Sequence, residues 1–128
     1  MKKILLALTF TIALVNFSNA QSIDDKIIEV YGDLNGSFFK GNKSLYESFE
    51  NLLSKRIKIE EMPYRNDEKF IKISSLQILN KYNSNLKHEK FESIEKFNPL
   101  KYNMEFFSNS MKVYRIDDTN FILIINPQ

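Results

Sequence analysis

The chain carries one histidine, His88, so most metal and acid–base chemistry would have to pass through it. It lies in Leu86-Lys87-His88-Glu89-Lys90, a charged stretch with no second histidine or cysteine anywhere to complete a zinc set. A Ser-His-Asp triad would need its serine on a tight turn such as Gly-x-Ser-x-Gly, and that motif does not occur. His88 therefore reads as a solvated surface residue.

Carboxylates come next, among them the adjacent pairs Asp24-Asp25, Glu60-Glu61 and Asp117-Asp118. Glycoside chemistry needs two carboxyl groups about 5–9.5 Å apart across a cleft. Neighbours on a strand point to opposite faces, so Glu60 and Glu61 alone do not form such a pair. Asp24 and Asp25 suit a helix N-terminus, where negative charge is favoured. Asp117-Asp118-Thr119-Asn120 suits a turn. A calcium loop on Asp117, Asp118 and Asn120 would lack the later bidentate glutamate of an EF-hand. The glycines in Tyr31–Ser44 match neither Gly-x-Gly-x-x-Gly nor a phosphate loop, since Asn42 interrupts Gly41-Asn42-Lys43-Ser44. No catalytic residue, cofactor or metal is expected. Nor does any motif tie the chain to a family of known activity.

Composition narrows the classes further. Cysteine is absent, which rules out a disulfide scaffold, a thiolate metal site and a thiol enzyme. Lys and Arg number 18 against 16 Asp and Glu. Setting aside Lys2 and Lys3 leaves 16 of each, so no excess of positive charge remains for a phosphate backbone, and nucleic acid is not an expected partner.

Met1-Lys2-Lys3, the apolar run Ile4–Val15 and the small residues Ser18 and Ala20 read as a secretory signal cleaved before Gln21. The run is shorter than the roughly 20 residues that span a bilayer. No cysteine follows it to carry a lipid. The expected product, residues 21–128, is one exported domain without a stable membrane anchor, in the periplasm or outside the cell. The Lys, Asn and Ile bias points to a bacterium. A chain of this length buries about two-thirds of its unfolded surface and needs no covalent staple.

Periodicity supplies the elements. Ile23, Ile27, Val30, Tyr31 and Leu34 lie at helical spacing, and Gly32 or Gly36 ends that helix. Ser44-Leu45-Tyr46-Glu47 reads as a capping box opening a second helix, from Lys43 or Ser44 to near Ser54, with Leu45, Phe49, Leu52 and Leu53 inward. Arg56–Glu60 alternates as a strand. Residues 70–79 start strand-like, and 86–97 read as a short surface helix. Asn98-Pro99 opens a helical turn. Met111–Ile116 and Phe121–Asn126 read as two strands of a C-terminal hairpin about the Asp117–Asn120 turn. The second strand is apolar on both faces and so belongs mid-sheet. The fold class is α+β: N-terminal helices packed on a small, mainly antiparallel sheet that includes the hairpin, with the Ser44 helix across it.

The expected function is that of an exported, non-catalytic binding protein of the bacterial envelope, taking another envelope or secreted protein as partner. Phe38 and Phe39, a loop pair between glycines, are the candidate partner-binding residues, with core packing as the competing role. An available sheet edge is the second hint. The alternatives are a small hydrolase, which would gather two of Asp67, Glu68, Glu105 and Asp118 in a pocket, and a carrier with a closed apolar cavity.

Overall fold

The computed structural model describes residues 23–128, so the leader expected over 1–20 lies outside the described residues. Helix α1 spans Ile23–Tyr31, with Asp24 and Asp25 in its first turn and Ile27, Val30 and Tyr31 buried. It ends at Gly32, whose φ of 85° only glycine adopts without strain. The Gly32 N–H closes the helix by donating to the Ile28 carbonyl at 3.0 Å. Helix α2 spans Lys43–Asn51. Its cap is Asn42, whose Oδ1 accepts from the Leu45 N–H at 3.1 Å. The capping box expected at Ser44–Glu47 is thus displaced by a better-placed asparagine one residue ahead of the helix. A π-turn over Leu52–Arg56 continues α2 and buries both Leu52 and Arg56.

The sheet has four strands: β1 (Ile57–Glu61), β2 (Ile71–Lys72), β3 (Lys112–Arg115) and β4 (Phe121–Ile125). Their order is β1-β4-β3-β2. β4 is antiparallel to both neighbours, with Ile59 opposite Leu123 and Tyr114 opposite Leu123. β2 runs parallel to β3 through only two residue pairs. The class is therefore α+β with a mixed, mainly antiparallel sheet, and the apolar run 121–125 takes a central place.

One core joins Ile27 and Val30 of α1, Phe49 and Leu52, Leu100, Tyr102, Tyr114, Leu123 and Ile125. Ile122 points to the other face yet is only 2% exposed. It shares that face with Arg115, its partner across the β3–β4 ladder, and Arg115 is tied to Met62 and Glu68 of the 62–70 segment.

Residues 86–97 do not form the expected helix; they are irregular, with a turn at 94–96. Phe91 and Phe97 pack on each other at 5.6 Å, while Phe91 also meets Phe121 at 5.7 Å and Phe97 stacks on Tyr102 at 5.9 Å. Anchoring each ring separately wins over a short isolated helix, whose nucleation is unfavourable. Asn98 does cap the turn Pro99–Lys101, accepting from the Leu100 N–H at 3.1 Å.

Candidate interaction surface

β1 lies at the end of the sheet, so among the described residues one side of its backbone has no strand beside it. The register decides which groups face that side. Ile57 lies opposite Ile125 and Glu61 opposite Phe121. The flanking bonds Asn126 N–H to Arg56 O (2.8 Å) and Met62 N–H to Asn120 O (2.7 Å) place the even-numbered residues in hydrogen-bonded pairs with the β4 strand. The N–H and C=O groups of Ile57, Ile59 and Glu61 therefore point outward. The Ile57 N–H is already used, donating to Leu52 O of the π-turn. Pro63 has no N–H, so it ends the run of outward donors. Among the described residues, two donors remain without a partner, on Ile59 and Glu61, with three such carbonyls.

A groove of about 420 Å³, open to solvent, runs along this side. Four consecutive residues, Ile57 to Glu60, line it, so it follows the strand's edge rather than one of its faces. Ile23, Lys26, Leu53, Ile94 and Phe97 form the rest of the wall. Ile57 and Ile59 are half-buried, while Lys58, Glu60 and Glu61 are exposed. Burial on this wall pulls the Lys26 ammonium below its ordinary pKa, and Glu95 and Glu29 partly oppose that.

The predicted aromatic anchor divides in two. Phe39 is 1% exposed and belongs to the core, the competing role the sequence left open for it. Phe38 is half-buried, stacked on Tyr31 at 4.4 Å and edge-on to Tyr82 at 5.2 Å. The loop between two helices has to close over the helix ends, and the larger apolar gain lies inward. Burial in this cluster raises the Tyr31 hydroxyl to about 12.

The carboxylates named as hydrolase candidates are dispersed among ion pairs. Asp67 meets Arg65 at 3.3 Å and Glu105 meets Lys112 at 2.9 Å. Glu105 raises the Lys112 pKa, chiefly by that hydrogen bond. Glu68 is paired with Arg115, and these side chains are 7% and 2% exposed. Arg115 also donates to the Met62 carbonyl at 2.6 Å. No sequence motif marks this pair. An arginine within the otherwise apolar run Val113–Ile116 was its only trace.

Asp118 lines a hollow of about 290 Å³ with Ser74, His88 and Asp117. There the Ser74 Oγ donates to Asp117 Oδ2 at 2.7 Å and the Ser74 N–H to Oδ1 at 2.8 Å. The hydroxyl is thus spent on a carboxylate that ties the 73–75 turn to the turn after β3, and among the described residues no hydrogen bond joins it to His88. Two further cations are buried. Lys101 Nζ lies 3.0 Å from Glu89 and 3.6 Å from Glu29, and Arg56 donates to the carbonyls of Phe106 and Asn126. Among the described residues, no group of three or more His, Asp or Glu side chains is placed to hold a metal ion. No helix among them is long and apolar enough to cross a membrane.

Comparison with known protein families, with curated proteins and with solved structures finds no match to this chain.

Proposed function

We propose that this is an exported, non-catalytic interaction protein of the bacterial envelope that binds a partner protein by strand addition along β1. The partner segment is extended, with apolar residues alternating with charged ones. In this reading the N-terminal helices lie against the sheet that holds the C-terminal hairpin, and β1 is the side left open. The observation that carries it is the edge of β1, where the donors of Ile59 and Glu61 have no partner among the described residues, beside a groove with partly apolar walls. Main-chain bonds to such an edge supply affinity, and pockets for alternate side chains supply selectivity. Ile57 and Ile59 offer the apolar surface; Lys58, Glu60 and Glu61 offer charge of both signs.

The test is site-directed photocrosslinking in the exporting cell. A benzophenone amino acid replaces Ser54, an exposed residue on the groove wall. A protein adduct is expected, and Glu61→Pro should reduce it at least about fivefold by removing one of the two free donors. The absence of an adduct, or one indifferent to Glu61→Pro, overturns the reading.

A further inference from the structure

We infer that the strand which pairs with β1 is β1 of a second copy of this chain, in an antiparallel, two-fold symmetric arrangement centred on Ile59. The inference rests on the strand-addition reading above and names its partner. Three features of the edge select this register independently.

The first is overlap. The open edge runs from Ile57, just after the π-turn, to Glu61, before Pro63. Its midpoint is Ile59, so an antiparallel copy overlaps it fully only with Ile59 opposite Ile59.

The second is hydrogen-bond phase. The outward groups belong to residues 57, 59 and 61, so pairing two such edges places odd residues opposite odd residues. With Ile59 central, each Ile59 N–H meets the other Ile59 carbonyl. Each Glu61 N–H meets the other chain's Ile57 carbonyl. The two donors left free on each copy are both used. The one outward N–H without a place, that of Ile57, is the one already bonded to Leu52.

The third is charge. In this register Lys58 of each copy stands opposite Glu60 of the other, in the closer, non-hydrogen-bonded type of pair, where opposite charges attract. Shifting the register by two residues one way puts Lys58 opposite Lys58. Shifting it the other way puts Glu60 opposite Glu60. Among the described residues, neither Lys58 nor Glu60 forms an ion pair within its own chain. The surface is self-complementary in the way a two-fold interface requires, and pairing removes an edge that would otherwise template uncontrolled association.

The experiment uses the full chain expressed in an exporting bacterial host, with mass measured by sedimentation velocity across a concentration series. A dimer is expected. Lys58→Glu should weaken it at least about tenfold by placing Glu opposite Glu twice, and Glu60→Lys should do the same with Lys opposite Lys. The double swap Lys58→Glu with Glu60→Lys should restore association to within about threefold of the parent. Both side chains are exposed, and an unchanged thermal midpoint verifies each variant's fold. A chain that stays monomeric throughout overturns the inference, as does a dimer indifferent to both single swaps. If the Ser54 crosslink then joins a different protein and still depends on Glu61, self-pairing alone falls. If no such crosslink forms either, the strand-addition reading falls with it.

Discussion

Arg115 shows how one residue can organise a face of the molecule. Its guanidinium is 2% exposed at the side chain, and its fork is filled by Glu68 and by the carbonyls of Met62, Phe121 and Thr119. Tyr64 lies over it at 5.9 Å. A buried cation of this kind is tolerated only when its donors are satisfied, and removing one partner strands the other. Arg115→Met should lower the thermal midpoint by about 10 °C. Arg115→Lys should recover little of that, because an ammonium cannot span the same carboxylate and carbonyls. Calorimetry of the two variants checks both statements. The pair also sets an acid limit. Hydrogen bonding from Arg115 holds the Glu68 carboxyl below its ordinary 4.5. A depressed carboxyl binds fewer protons folded than unfolded. Its stabilisation is therefore complete above 4.5 and is lost as pH falls below that towards the folded value. Urea midpoints measured between about pH 6 and pH 3 should fall, and Glu68→Gln should flatten that slope.

At the scale of elements, α2 separates two explanations of its own start. The sequence Ser44-Leu45-Tyr46-Glu47 has the pattern of a capping box, yet the cap bond is made by Asn42. Asn42→Ala should cost about 1 kcal/mol, and Ser44→Ala should stay within about 0.5 kcal/mol. Equal losses in chemical denaturation would restore the capping box. At the other end of α1, Gly32 holds a φ of 85° with open space where a side chain would go. Gly32→Ala should still destabilise by about 1–2 kcal/mol, from backbone strain alone. Three strands were legible: β1, β3 and β4 stand within a residue or two of the alternating run 56–60 and of the runs 111–116 and 121–126, rich in β-branched and aromatic residues. The 86–97 stretch was not. Its Phe91, Ile94 and Phe97 spacing mimics a helix, while Phe97 stacks on Tyr102 beyond the Pro99 turn and Phe91 is fixed by Phe121, far along the chain.

For the whole molecule, the single core decides how it unfolds. Ile27 and Val30 of α1 and Leu123 and Ile125 of β4 belong to one buried cluster. Far-ultraviolet signal from the backbone and near-ultraviolet signal from the tyrosines should therefore share one midpoint. Leu123→Ala, at a fully buried position, should lower stability by about 2–5 kcal/mol and move both signals together. Separate midpoints would show that the helices and the sheet are independent units.

What the sequence determined by itself is what neighbours along the chain can decide: where α1 and α2 lie, which runs alternate, and that 121–125 is apolar on both faces. Capping groups, glycines and side-chain period act over a few residues, so they are written locally. The tertiary structure alone decided that a two-residue β2 joins in parallel, that Arg115 finds Glu68, and that β1 stands at the edge while β4 stands within. Those outcomes depend on which distant segments meet, and burial selects them by total area and by satisfied polar groups rather than by adjacency. The candidate surface belongs to the second kind. Alternation marked Ile57 and Ile59 as strand residues, but only the placement of β4 on one side left the other side open.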